Sequence, residues 1–557
     1  MISFVQSNAH GGEVYTTLTG VTAGNLIVVG FSEIKDASPT TLSCSDGAST
    51  LTAVAESSGT FVRWRFFYLL SANSGNRTYT VSGANGSVQS TIVMEFSYTG
   101  SLSLEDYSNN SDDESTSVSS GNIQPSGYSL VLGGSYAYGG STYSSCQVNG
   151  VAADGQKSHS DLNTWPPMWY RVVTAGFDGA ATCTTADPGS YAASAISFRE
   201  QTITITRVVD PDMGSGYDYD SLSDWEADLG DTTSGDLPTY NEIAVAKCRC
   251  TGGTADTTAV DIAGWTTDTT HYIKIWTDPS ESYRHDGKWN TSKYRITSNA
   301  YFATICNNNG ARLDLWLDGL QIENSREYES GADGAGLWSY QTYIANITVS
   351  NCIIRNTASS PCAGSGVTVL DAADSGTTYF KCYNNIIYGF SGGYDGAGIQ
   401  YNRTANGATR HIICYNNTLY GNYKNLFLNP NWPGSEPVYI HSKNNLLYNH
   451  TGGGDFVRSD DGGTWDVEND LSSDATSLDT SHRNQTVAFV DADNRDLHLS
   501  ASDTAARGQG TNLSSDSYLP FSTDIDGQDR GGSGAQWDIG ADEYVAAGNP
   551  YYAYAQQ

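Results

Sequence analysis

"CYNNIIYGFS", residues 382–391, returns as "CYNNTLYGNY", residues 414–423, 32 positions later. The pair belongs to a longer series: "GLQIEN" (319–324), "NCIIRN" (351–356), "NNIIYG" (384–389), "NNTLYG" (416–421) and "NNLLYN" (444–449). A weaker sixth member is "ENDLSS" (468–473). First positions differ by 32, 33, 32, 28 and 24 residues. A period of that length marks a solenoid whose coils stack in one row. Coils above about 25 residues imply loops that project from the shaft.

Alternation along a strand assigns the roles within each member. Ile322, Ile354, Ile387, Leu419, Leu447 and Leu471 are expected to share one inward position and to stack along the axis. Cys382 and Cys414 are expected inward in the preceding strand, as packing thiols. Asn385, Asn417 and Asn445 fall at the bend between strands. Asparagine tolerates left-handed backbone there, and its amide can hydrogen-bond the next coil. The outward neighbours are Glu323, Arg355, Tyr388, Tyr420 and Tyr448. Tyr388, Tyr420 and Tyr448 form an aromatic row that either stacks on sugar rings or is packed under a covering loop or a second subunit.

Composition agrees with a β-rich chain. Only 16% of the 557 residues are charged, 38% are hydrophobic, and 36 are tyrosine. Gly, Ser, Thr, Asn and Asp abound, and helical signals are nearly absent. At about 100–200 residues per domain the length implies three to five units. The net charge of −33 disfavours nucleic acid and anionic membranes as partners. It suits a soluble surface or one that attracts Ca²⁺. No pair among the ten cysteines has zinc-site spacing, and Cys248 and Cys250 are too close for an easy local disulfide. Most are expected to be apolar fillers rather than a disulfide framework. The opening "MISFVQSNAHGGEVYTTLTG" lacks a charged region followed by an apolar one, so no secretory signal is expected in the sequence given. Either a signal was removed, or the protein leaves its cell by another route such as lysis. No run approaches about 18 apolar residues.

The first 200 residues carry echoes. "GNLIVVGFS" (24–32) is answered by "GYSLVLGGS" (127–135), 103 positions on. "FFYLL" (66–70) is answered by "WYRVV" (169–173), and "IVMEFS" (92–97) by "SAISFR" (194–199). Two related sets of antiparallel strands predict a β-sandwich, jelly-roll or Ig-like, over 1–200. "TAGNLIVVGFS", "YLLSANSGNRTYTVSGA" and "VMEFSYTGSLSLED" resemble a sandwich module of bacterial extracellular and bacteriophage structural proteins. The resemblance implies display, adhesion or anchoring. Residues 201–236 read as a junction with a short helix at 219–229, N-capped by Asp220 or Ser221.

Residues 264–296, "GWTTDTTHYIKIWTDPSESYRHDGKWNTSKYRI", resemble the opening coils of right-handed parallel β-helix proteins, the pectate-lyase-like superfamily. Residues 237–488 are therefore expected to form the β-helix. "FVDADNRDLHLSASDTAARGQGTN" (489–512), "TDIDGQDRGG" (523–532) and "WDIGADEY" (537–544) resemble the closing segment of a β-helix group, which places that segment at 489–545. The Tyr-rich tail 546–557 could dock onto a partner. Asp524 and Asp526 suggest Ca²⁺, but the full loop with a distal Glu is lacking. The structural alternative is Arg530 pairing Asp526 or Glu543. No other cofactor is expected.

Parallel β-helices include pectate lyases, polygalacturonases and phage tailspike glycanases. Lyases need carboxylates on Ca²⁺ with an Arg or Lys base, and hydrolases need carboxylates at about 5–9.5 Å. Asp371, Asp374 and Asp395, with Arg403 and Arg410, and the pair Asp460–Asp461 are the acidic groups to weigh. The polygalacturonase set N-T-D, D-D, G-H-G and R-I-K is not present in order, and catalytic residues stay unassigned. The sequence therefore argues against an enzyme. The resemblance implies a bacteriophage virion surface protein, of the capsid decoration, fiber or tailspike type, whose shaft meets glycans. Its partners would be other virion proteins, a polysaccharide and, by analogy with phage spikes, two further copies in a trimer. The alternatives are a secreted polysaccharide lyase or glycoside hydrolase with a binding module, and a bacterial surface adhesin.

Overall fold

The computed structural model describes residues 2–98, 101–125, 129–138, 143–157, 167–173, 178–230, 235–307, 312–330, 332–341, 345–393, 396–430, 436–458, 463–531 and 536–545. The chain divides into two units, Met1–Ile203 and Thr204–Gln557. Both are built from strands, and among the described residues no helix is long and apolar enough to cross a membrane.

In the first unit each set of echoed strands makes its own antiparallel sheet. One runs Ser3–Gly11, Ser87–Ser97, Leu26–Ile34, Val62–Leu69 and Thr52–Ala53 in spatial order. The other has Gly179–Gln201, Ser129–Tyr138 and Met168–Val173 at its centre. The echoed strands occupy the same order in both, so the repetition in sequence is a repetition in topology. Leu26, Val28, Trp64, Phe66, Ile92 and Met94 of the first sheet share one core with Leu130, Leu132, Met168, Ile196 and Phe198 of the second. That shared core defines a β-sandwich. Glycine is required where the indoles lie: a Cβ at Gly134 would come within 2.1 Å of the Trp64 ring. A disulfide, Cys146–Cys183, joins two paired strands of the second sheet. Strand pairing brings these residues together across 37 positions, which is why cysteine spacing alone did not disclose it. The other eight cysteines are free.

The second unit is a parallel β-helix with three sheets, one strand of each per coil. The first sheet includes Ile273–Trp276, Leu313–Asp318, Ala345–Ser350, Thr377–Tyr383, Thr409–Tyr415, Val438–Lys443 and Thr464–Glu468. The second contains the repeated motif: Gln321–Asn324, Ile353–Asn356, Ile386–Tyr388, Thr418–Tyr420, Leu446–Tyr448 and Leu471–Ser472. The third includes Ala335–Gln341, Val367–Asp371, Ala397–Arg403, Lys424–Asn429 and Gly454–Arg458. Ile322, Ile354, Ile387, Leu419 and Leu447 pair in register and are buried in one core, with Cys382 opposite Cys414. The sixth member is offset by one residue from the expectation. Leu471 pairs with Leu446 rather than Leu447, and faces outward under the closing segment.

That offset follows from how the asparagine pair works, which is a division of labour. The first residue of each pair adopts left-handed backbone: Asn384 (φ 54°), Asn416 (49°), Asn444 (58°) and then Asn469 (54°). The second forms a buried amide ladder. Asn385 Nδ2 donates to Asn417 Oδ1 at 3.0 Å, Asn417 Nδ2 to Asn445 Oδ1 at 2.9 Å, and Asn445 Nδ2 to Asp470 Oδ1 at 2.9 Å. Asp470 ends the ladder because a carboxylate accepts from the coil before it and has no amide to donate further. Asn469-Asp470 is thus the true sixth pair, 25 residues after Asn444-Asn445.

The junction helix is Leu222–Leu229, with Ser221 as N-cap accepting from the Asp224 amide at 3.1 Å. Its Leu222 and Trp225 enter the β-helix core, where Trp225 stacks on Trp265 at 5.5 Å. A helical turn at Leu237–Tyr240 was not anticipated. At the far end, Arg530 is buried and donates to Asn384 Oδ1 at 3.0 Å and to the carbonyls of Gly540 and Ala541. Its carboxylate partner is Glu543, at 3.5 Å. Arg530 therefore ties the closing segment to the left-handed asparagine of a coil.

Candidate functional site

The tyrosine row exists on the second sheet, and the closing segment lies over it. Tyr388 is buried at 6% exposure, and Tyr420 and Tyr448 stack on each other with centroids 6.1 Å apart. Phe489 meets both edge-on at 5.8 and 5.6 Å, and the Arg495 guanidinium sits 5.1 Å from the Tyr420 ring. Of the residues beside them, Arg355 pairs with Glu323 and lies over Trp289 at 3.6 Å.

The outward face of the first sheet is the more open surface. Side chains that point away from the core there include Lys274 and Trp276, Asp314 and Trp316, Asn346 and Thr348, Tyr379, Lys381 and Tyr383, His411, and Tyr439 and His441. Parallel strands in register hold equivalent rings about 4.8 Å apart. Tyr379, His411 and Tyr439 accordingly form a stacked ladder with centroid separations of 4.8 and 4.9 Å. Tyr518, from the closing segment, packs on His441 at 4.0 Å. Beside the ladder lies a groove of about 420 Å³, lined chiefly by Tyr272, Trp316, Tyr379, Lys381, Tyr383 and Leu519. Asp314, Asn346, Thr269 and Thr348 supply polar atoms to the same groove. Trp316 is held in place by its Nε1 donating to Ser350 Oγ at 2.8 Å, and by the Lys274 ammonium 3.8 Å from its ring.

The charges around the groove are mostly paired. Asp314 accepts from Arg312 Nε at 2.8 Å and from the Asn346 amide. Burial lowers the pKa of Lys274, opposed by Asp318 at 3.5 Å. Burial likewise lowers that of Lys381, with no anion opposing it. His411 is held below the ordinary imidazole value by burial and by His441. At the far end of the face, Lys443 Nζ reaches Asp466 at 3.0 Å and Asp516 at 3.7 Å, and His441 Nδ1 reaches Asp466 at 3.1 Å. Burial pushes the Asp466 carboxyl up, but the His441 and Lys443 contacts outweigh it and hold it below the usual range.

The other acidic groups named from sequence are scattered. Asp371 is buried, taking the Tyr401 hydroxyl at 2.7 Å, with Arg410 3.3 Å away, and Arg403 pairs with Glu436. Asp374 is exposed on a loop. Asp395, Asp460, Asp461 and the tail 546–557 lie outside the described residues. Asp524 is buried, its carboxylate taken by the amides of Gln528 and Glu543. Asp526 groups instead with His498 and Asp542, their ligand atoms within 4.8 Å of one another, as do those of His450, Asp455 and Asp474. The second trio is internally satisfied: Asp455 takes the Asn425 amide at 2.6 Å and the Ser473 amide at 2.6 Å.

No protein-family model matches the sequence, and no curated protein sequence matches it. Among solved structures, the catalytic domain of a GH87 alpha-1,3-glucanase in complex with nigerose shares 9% identity. That likeness covers 62% of this chain and 67% of the other, at a TM-score of 0.17. The Agl-KA catalytic domain shares 12% identity over 65% of this chain and 86% of its own, at a TM-score of 0.12. Likeness at that level equates no residue of this chain with one of theirs. The strand register itself defines the class: a β-sandwich followed by a parallel β-helix.

Proposed function

We propose that this chain is a glycan-binding β-helix protein and that the outward face of the first sheet is its binding surface. The observation that carries the reading is the groove in which Trp316, Tyr379 and Tyr383 flank the polar Asn346 and Thr348, beside the stacked Tyr379–His411–Tyr439 ladder. Pyranose rings present C–H faces that stack on such rings, while hydroxyls bond polar groups such as Asn346 and Thr348. The ladder rings stack on one another, so they offer outer edges and polar atoms to an extended chain of sugars, while Trp316 offers ring surface in the groove. A second reading, hydrolysis of the bound chain at that end of the face, would use Asp466 and Asp516, which both meet Lys443. The virion setting implied by the sequence resemblance remains part of the proposal. It is supported by the strand patterns of the first 200 residues.

The test is calorimetric titration of the full chain with a panel of bacterial polysaccharides and their oligosaccharides, with reducing ends assayed in parallel. Binding that falls at least tenfold in Trp316→Ala supports the reading. Equal binding by wild type and Trp316→Ala, or binding to no member of the panel, overturns it. New reducing ends that vanish in Asp466→Asn select the hydrolytic reading.

A further inference from the structure

We infer that the groove recognises a glycan bearing carboxylates and that Lys381 is the residue that selects them; this rests on the glycan-binding reading above. Lys381 lines the groove, between Tyr379 and Tyr383 on one strand. Its ammonium is 5.6 Å from the Tyr379 ring centroid. Among the described residues no carboxylate lies within ion-pair distance of it and no hydrogen-bond acceptor meets it. Every other cation around this face has a counter-ion: Lys274 and Arg284 have Asp318, Arg312 has Asp314, and Lys443 has Asp466.

The contrast is informative because carboxylates are plentiful. The chain has 61 acidic residues against 28 basic ones, so a lysine without a partner is the exception. Partial burial of an ammonium is unfavourable unless an anion or acceptor meets it. Burial depresses the Lys381 pKa with no charge acting the other way, which is the condition a bound anion would reverse. An anionic polymer approaching a chain of charge −33 is repelled at long range, so its recognition needs a local cation that is free to pair. Among the described residues, the one carboxylate lining the same groove, Asp314, is already paired with Arg312. A uronic acid stacked on Trp316 or Tyr379 presents its carboxylate at the ring edge, in reach of an ammonium on a four-carbon stem.

The experiment measures Kd by calorimetry for full-length wild type, Lys381→Met and Lys381→Arg. The probes are a mannuronate tetramer and a hyaluronan-derived hexasaccharide, each beside its carboxyl-reduced form, plus a sulfated neutral oligosaccharide. The expected result is at least tenfold tighter binding of one uronate over its reduced form by wild type. In Lys381→Met the affinities for the uronate and its reduced form converge to within about twofold, and Lys381→Arg keeps part of the preference. A preference that survives in Lys381→Met overturns the inference, as does tightest binding of the sulfated probe. Equal binding of charged and reduced forms by wild type also overturns it, yet leaves the glycan-binding reading intact. Failure of every probe to bind, while a neutral polysaccharide of the panel above binds, sinks the inference alone.

Discussion

Replacing Asn417 by Ala should destabilise the β-helix far more than its size suggests. The side chain is fully buried. Its Nδ2 donates to the Cys382 carbonyl at 2.8 Å and to Asn445 Oδ1 at 2.9 Å. Its Oδ1 accepts from the Asn385 amide at 3.1 Å and from Asn385 Nδ2 at 3.0 Å. Asn445 Oδ1 keeps the Asn417 backbone amide, and Asn385 Nδ2 keeps the Val349 carbonyl. Two buried backbone groups, the Cys382 carbonyl and the Asn385 amide, lose a side-chain partner. At about 1–3 kcal/mol for each of the two unsatisfied groups, the loss comes to roughly 2–6 kcal/mol. For a unit of this length that lowers Tm by about 3–8 °C. Asn449→Gly is the control, since Asn449 is exposed, with φ 58°, and should move Tm by about 1 °C or less. Calorimetric unfolding of both variants in the full chain is the assay. A loss below about 1 kcal/mol in Asn417→Ala would refute the idea that the ladder holds the coils in register.

Asp470 is buried, and burial pushes its pKa up to about 7, against the hydrogen bonds from Ser442 and Asn445. The folded state therefore holds a proton that the unfolded chain releases near pH 4, so this group's contribution falls as pH rises from about 4 to about 7. Asp470→Asn should remove that slope and raise Tm relative to wild type at pH 8, measured as the difference between the two pH profiles. Reducing Cys146–Cys183, or substituting both by Ser, should cost the first unit about 3–4 kcal/mol for a loop closed across 37 residues, read as a lower denaturation midpoint. Phe489→Ala should uncover Tyr420 and Tyr448 and cost about 1–2 kcal/mol, with both tyrosines gaining reactivity towards iodination. Tyr448→Ala should leave glycan affinity within twofold of wild type.

The β-helix was legible because its coils carry the same chemistry at the same place: an aliphatic residue inward and an asparagine at the turn. The register of the last coil was misplaced by one, since Leu471 and Leu447 look alike and only Asp470 shows where the amide ladder ends. The cover over the tyrosine row was hidden because Phe489 and Arg495 reach it from a distant stretch of chain. The open aromatic face, by contrast, was within reach. Aligning Tyr379, His411 and Tyr439 needs the same 32- and 28-residue steps that align Cys382 with Cys414 and Asn417 with Asn445. Trp316 and the closing-segment Leu519 could not be joined to that face without coordinates, because nothing local links them.

The most direct test is a structure of the full chain bound to the tightest oligosaccharide of the panel. Sugar rings are expected against Trp316 in the groove, with their hydroxyls on the outer edges of Tyr379, His411 and Tyr439. Density instead over the exposed Phe302 and Tyr340 and the half-buried Trp338, beside and on the third sheet, or on the first unit alone, would overturn the proposal.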